Sequence, residues 1–208
     1  GNTTGVNNSA FGYQTNFSNT NGAANSSLGY KALFSNTLGD DNCAIGINSL
    51  YANTSGGYNT AVGSASLYHN ISGNNNTAFG AESLFFNTAG DNSAFGYQAM
   101  FTNTNGTSNA AFGNQSLFGN TTGNDNSAFG HQSLYSNTIG GNNSAFGYRS
   151  LYSNINGTGN CAFGYDTLQS NTSGTSNNAF GLQCLTSNTT GSFNCGYGLE
   201  SIIQNTTG

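Results

Sequence analysis

Residues 126–142 read N-S-A-F-G-H-Q-S-L-Y-S-N-T-I-G-G-N, and the next stretch, 143–159, begins again with N-S-A-F-G. Laid over the whole chain, the unit N-[STC]-A-F-G-Y-Q-S-L-[YF]-S-N-T-x-G-x-x recurs every 17 residues in twelve copies. A first glycine column runs Gly12, Gly29, Gly46, Gly63, Gly80 and on to Gly198, with one interval, Gly80 to Gly96, shortened to 16. A second runs in the same phase from Gly5 and Gly22 through Gly90 to Gly208. The single deletion is read into the variable residues after the second glycine, where a surface turn tolerates a change of length. A tandem repeat is read before any local feature, because each unit is too small to fold alone.

Period and composition select the fold. Seventeen residues are too few for a helical repeat, which needs about 33 or more, but suit one coil of a β-solenoid. The chain is therefore expected to be all-β: a parallel β-roll or β-helix of about twelve coils over residues 1–208, associating as a homotrimer. Glycine supplies the corners. The absence of proline suits a wall whose N–H groups all pair with the next coil. The first glycine is preceded by a large apolar residue, as in Phe112, Phe129, Phe146 and Phe163, and by Ala one position earlier. Strand parity puts these two on opposite faces. Further on, Leu and an aromatic are adjacent, as in Leu50-Tyr51 and Leu134-Tyr135. Two neighbouring apolar columns enter one core only if the chain bends between them; otherwise one forms an outward apolar stripe larger than a monomer normally exposes. Lateral association as a homotrimer is the expectation, and a monomer with a bent coil is the alternative.

Two asparagine columns are strict. One lies four residues before the first glycine, from Asn8 to Asn194. The other comprises Asn19, Asn36, Asn53, Asn70, Asn87, Asn103, Asn120, Asn137, Asn154, Asn171, Asn188 and Asn205, and is assigned as a structural side-chain ladder. Thr follows it except at Ile71 and Ile155, and a flat threonine array raises a second reading, a face that orders ice or binds glycans. N-x-[ST] sequons also fall on this column, which makes Asn53, Asn70, Asn120, Asn171 and Asn188 candidate glycosylation sites of an extracellular filament.

Charge excludes several classes. The chain has 2 Lys and Arg against 7 Asp and Glu, and 4% charged residues. Lys31 and Arg149 cannot neutralise a run of phosphates, so no nucleic-acid partner is expected. No apolar run reaches the roughly 18 residues of a membrane span, so no membrane insertion is expected. His69 and His131 lie in different columns, Asp40, Asp41, Asp91 and Asp125 skip coils, and no C-x-x-C occurs. Cys161 and Cys195 share a column two coils apart, about 9.6 Å at the strand spacing and too far for a disulfide. No catalytic, cofactor-binding or metal-binding residues are assigned, and the expectation is a non-enzyme without a cofactor. The copies run to both ends in mid-array, as in a segment of a longer array.

The N-[ST]-A-[FIV]-G element resembles the head repeats of trimeric autotransporter adhesins, the YadA-like family, where a similar S-x-A-I-G motif lines each coil of a left-handed parallel β-roll. The fuller unit, best matched at 59–73, 76–90 and 126–140, is similar to repeats of phage tail-fibre and secreted bacterial surface proteins. The adhesin period is nearer 14 to 15 residues, against 17 here. The resemblance implies a left-handed roll, trimerisation, an extracellular place on a cell surface or virion fibre, a role as adhesin or spacer, and no catalytic residues; surface glycans are the partner that the tyrosines after the first glycine, Tyr13, Tyr30, Tyr97, Tyr148 and Tyr165, suggest by stacking on sugars.

Overall fold

The computed structural model describes residues 2–207. The chain is an all-β parallel solenoid that divides into two compact units, the first ending at Asn105 and the second beginning at Gly106. The first holds β1 (Ser9–Phe11), β2 (Ser26–Leu28), β3 (Cys43–Ile45), β4 (Thr60–Val62), β5 (Thr77–Phe79) and β6 (Ser93–Phe95). The second holds β7 (Ala110–Phe112), β8 (Ser127–Phe129), β9 (Ser144–Phe146), β10 (Cys161–Phe163), β11 (Asn178–Phe180) and β12 (Cys195–Tyr197). Within each unit consecutive strands pair in parallel and in register, Ala44 on Ala61 and Ala128 on Ala145. Each repeat thus contributes one three-residue strand and one coil. The rest of the coil is bonded to its neighbour as well: Leu50 N donates to Ser66 O at 2.9 Å, Ala52 N to Tyr68 O at 3.0 Å and Thr54 N to Ile71 O at 2.9 Å. The backbone groups of the turns are therefore satisfied by the adjacent coil, as buried groups must be.

Parity works as the strand pattern requires, and it turns the alanine inward. Ala44, Ala61, Ala128 and Ala145 have no exposed surface, while the large residue one step on faces out. Inside with the alanines sit Leu50, Leu67, Leu134 and Leu151, the serine before each, and both asparagines of the coil. The bend that lets Leu point inward beside an outward aromatic lies at the leucine itself. Leu50, Leu67, Leu134 and Leu151 have φ of +51°, and the residue two before each is left-handed too, as at Gln132 (+55°) and Arg149 (+50°). An L-residue in this region costs about 1–2 kcal/mol, so each coil holds its leucine against strain. Both branches of the sequence argument therefore occur: the chain bends, and an apolar column still faces out.

The short repeat is corrected in position. Ala89, not Gly90, presents the carbonyl that accepts from Asn76 Nδ2 (2.9 Å) and Asn87 Nδ2 (2.8 Å), a role filled by the second glycine elsewhere. Asp91 N then donates to Asn74 O, as Asp41 N does to Ala23 O. The missing residue lies between Thr88 and Ala89, ahead of the glycine, because the ladder carbonyl has to stay in line while the residue before it is free to go.

Candidate functional site

The ladder column forms the chain of amides expected of it. Asn137 Nδ2 donates to Asn120 Oδ1 (2.9 Å) in the preceding coil and to Gly140 O (2.9 Å) in its own, and its Oδ1 accepts from Asn154 Nδ2 at 2.8 Å. Both amide protons and the carbonyl are used. The same pattern joins Asn19, Asn36, Asn53 and Asn70 in the first unit and Asn154, Asn171 and Asn188 in the second. In the unit containing the deletion, Asn103 Nδ2 reaches Asn87 Oδ1 at 2.7 Å. At the far end Asn205, half-buried, reaches Asn188 Oδ1 at 3.5 Å.

The other strict column is a second ladder that sequence reasoning left without a role. Asn59 Nδ2 donates to Asn42 Oδ1 (3.1 Å) and to Gly73 O (2.8 Å), and Asn59 N donates to the same Asn42 Oδ1 (3.0 Å). Gly73 O also accepts from Asn70 Nδ2 at 3.0 Å, so the two ladders meet on the carbonyl of the second glycine. The invariance of Asn8 to Asn194 was the available signal.

Burial removes the glycosylation candidates from the folded chain. Asn53, Asn70, Asn120, Asn171 and Asn188 have 0% exposed surface. Each directs Nδ2, the atom a glycan would occupy, to the glycine carbonyl three residues on. A sequon is a local pattern, and here it coincides with an interior position. The threonine column is also partly committed: Thr37 Oγ1 donates to Thr54 O and Thr121 Oγ1 to Thr138 O, both at 2.9 Å, so these hydroxyl protons point into the wall and not at water.

What each unit presents outward is aromatic. Before the first glycine, Phe112, Phe129, Phe146, Phe163, Phe180 and Tyr197 stack with centroids 4.5–5.1 Å apart and planes within 8°. After the leucine, Phe17, Phe34, Tyr51, Tyr68, Phe85 and Phe101 stack at 5.0–5.3 Å. A third, interrupted column follows the first glycine: Tyr13 on Tyr30, and His131 on Tyr148 on Tyr165. Because rings stack on rings, their faces cover one another and their edges meet the solvent. The two cations lie beside these columns, Lys31 Nζ 5.4 Å from the rings of Tyr30 and Phe34, and Arg149 Cζ 4.4 Å from Tyr152 and 6.0 Å from Tyr148. His69 departs from its column's small residues and stacks on Phe86 at 5.1 Å, making with Tyr68, Phe85 and Phe101 a local aromatic knob that the consensus hides.

The remaining polar groups do not converge. Asp40 Oδ1 accepts from Ala23 N (2.7 Å) just as Asn74 Oδ1 accepts from Gly57 N (2.8 Å), so an acid and an amide do the same work of capping the turn. No group of three His, Cys, Asp or Glu side chains comes together among the described residues. The four cysteines are free thiols, and burial pushes that of Cys161 above its usual range. Asp166 is buried at 8% exposure and accepts from Gln169 Nε2 at 3.1 Å. Its burial raises the carboxyl pKa, and the Arg149 guanidinium partly offsets this. No helix among the described residues is long and apolar enough to cross a membrane. No family model, curated protein or solved structure matches the chain.

Proposed function

We propose that this chain is a structural segment of an extracellular fibre, on a cell surface or a virion, which spaces or presents a receptor-binding tip and carries out no catalysis. The copies associate side by side, as a homotrimer, along the outward column before the first glycine. The observation that carries this reading is the row of six stacked rings from Phe112 to Tyr197, laid along one face of a unit. An aligned apolar row of this kind is what an association surface presents. The side chains that vary most lie in the turns, and those that repeat build the wall, as a shaft requires. The resemblance to adhesin and tail-fibre repeats points the same way.

Sedimentation equilibrium tests it. The particle mass is expected near three times the 21.3 kDa of the chain. Replacing Phe129, Phe146 and Phe163 together by Ser is expected to return the mass to one chain while the β spectrum is kept. A clean monomer for the unaltered chain sinks the reading. Contact with surface glycans is the second reading, carried by the exposed Tyr148 and Tyr165. Their covered ring faces leave hydroxyls and edges to do the binding, so any contact is expected to be weak and repeated.

A further inference from the structure

Eight of the eleven tyrosines stand in adjacent coils at the same position of the repeat: Tyr13 with Tyr30, Tyr51 with Tyr68, Tyr135 with Tyr152, and Tyr148 with Tyr165. Their ring centroids are 5.4, 5.0, 5.1 and 4.9 Å apart, with planes within 13°. In-register stacking holds the two phenol rings of each pair side by side and nearly parallel. Tyr58, Tyr97 and Tyr197 have no tyrosine at the matching position of a neighbouring coil. The cysteines offer no comparable pair: Cys43, Cys161 and Cys195 share a column but never occupy adjacent coils, and Cys184 is buried.

We propose that these tyrosine pairs are oxidative cross-linking sites, at which a peroxidase-activated peroxide joins adjacent coils through dityrosine. Each phenol gives up one electron to the oxidant and its proton to water. The two phenoxyl radicals couple through one new carbon–carbon bond between ortho carbons. The ortho hydrogens then leave as protons and the oxygens are reprotonated, which restores both phenols. The pair has lost two hydrogens in all, and one hydrogen peroxide has become two waters. The coil supplies proximity. Reacting groups held side by side reach effective concentrations far above those of separate molecules, on the order of 10⁵ M in well-oriented cases.

The four pairs are not equivalent. Tyr148 and Tyr165 are 39% and 47% exposed, and Tyr13 and Tyr30 are 63% and 46% exposed, so their rings have room to tilt toward one another. Tyr51 and Tyr68 are held between Phe34 and Phe85, Tyr135 lies against Phe118, and Arg149 covers Tyr152. Tyr148 also stacks on His131, and Lys31 lies beside Tyr30, so exposure and not the lack of a neighbour separates the pairs: the more exposed ones are the reactive ones and the others lag behind.

The test treats the full chain at low concentration with a plant peroxidase and hydrogen peroxide. The single-chain fraction is then recovered under denaturing conditions and its dityrosine peptides mapped. The expected products are Tyr148–Tyr165 and Tyr13–Tyr30 links, each lighter by two hydrogens and at least tenfold more abundant than any intrachain link to Tyr58, Tyr97 or Tyr197. Tyr165→Phe keeps the ring in the stack and is expected to remove the Tyr148 link while leaving Tyr13–Tyr30 intact. The treated chain is expected to melt at a higher temperature than the untreated one. A single-chain fraction without dityrosine, or the same product distribution from urea-unfolded chain, overturns the proposal. Lateral association does not enter this readout: dityrosine between chains appears in the multimer fraction, so loss of the trimer leaves the intrachain result standing.

Discussion

Replacing Asn137 by Asp changes one NH2 group to an oxygen and tests whether the buried amide ladder holds the coils together. In the native coil Nδ2 of Asn137 supplies two protons, one to Asn120 Oδ1 and one to Gly140 O, each at 2.9 Å. Oδ1 remains available to Asn154 Nδ2 at 2.8 Å. A carboxylate there keeps the last bond and turns the first two contacts into oxygen facing oxygen. Gly140 O retains a donor in Asn126 Nδ2 at 2.9 Å, so the carbonyl is not orphaned; Asn120 Oδ1 loses the Asn137 amide and faces a carboxylate oxygen in its place. One buried group unsatisfied costs about 1–3 kcal/mol. The charge placed in an interior with 0% exposure adds desolvation to this. A loss of about 3–5 kcal/mol at neutral pH is expected. Acidification has a definite sign. The folded-state pKa of the new carboxyl is raised above its unfolded value of about 3.9, so the folded chain binds the extra proton and the loss shrinks as pH falls through the folded pKa. Protonation also restores one donor. Asn124→Asp is the control, since its Oδ1 accepts from Thr107 N at an exposed turn where Asp40 does the same in another coil; less than about 0.5 kcal/mol is expected. Urea unfolding read by hydrogen exchange around coils 120–157 resolves local opening from global unfolding. Equal losses for Asn137→Asp and Asn124→Asp, or a loss independent of pH, would refute the ladder as a source of stability.

Three further outcomes follow from the same geometry. Gly140→Ala places a Cβ 2.4 Å from Gly157 O and 2.5 Å from Asn137 Oδ1, with backbone on one side and a bonded amide on the other, so a loss of about 3 kcal/mol in urea is expected. Phe193 is 82% exposed with φ of +61°, and Phe193→Asn is expected to raise the thermal midpoint by relieving about 1 kcal/mol of left-handed strain; a lowered midpoint would mean that the ring is packed against something. Asp166→Asn is expected to stabilise the chain at neutral pH. Burial raises this acid's folded pKa above the unfolded value, so its penalty is present at neutral pH, fades as pH falls through the folded pKa and is gone below the unfolded one. A gain that persists in acid would locate the effect elsewhere, in the Gln169 contact.

The strands were legible because their signal is columnar: the N-[STC]-A-F-G core repeats at one interval and nothing else in the chain competes with it. Its parity was legible too, since Ala and Phe are neighbours and only one can enter the coil. The left-handed leucines were not. Leu50 and Leu134 carry no local mark of φ +51°, and propensity argues against it; the conformation is imposed by bonds to the adjacent coil, such as Leu50 N to Ser66 O and Leu134 N to Ser150 O. The sequons misled for the same reason. N-T-S at Asn53 describes three residues, whereas its burial depends on Asn36 and Gly56 and on the coils above and below. The deletion was off by two residues because alignment follows glycine, while the structure follows the carbonyl that both ladders need, and Ala89 can supply that.

The inversion of residue size across the wall links these features. A core normally takes large apolar side chains such as Phe along with the small ones. Here the coil is closed so tightly that its interior holds Ala145, Leu151, Ser150 and the amides of Asn143 and Asn154, while Phe146, Tyr148 and Tyr152 stand outside. Such an interior buries little hydrocarbon per residue. Cohesion therefore comes to rest on hydrogen bonds directed along the stack, each coil satisfying the one before it. That arrangement needs an asparagine at two fixed places in every coil, and among the described residues Asp166 is the one charged side chain it buries. It also leaves the aromatics to cover one another edge-out. Coil stacking alone hides their faces but cannot hide their edges, so the structure that satisfies the wall is the same one that leaves an aromatic row along its outside.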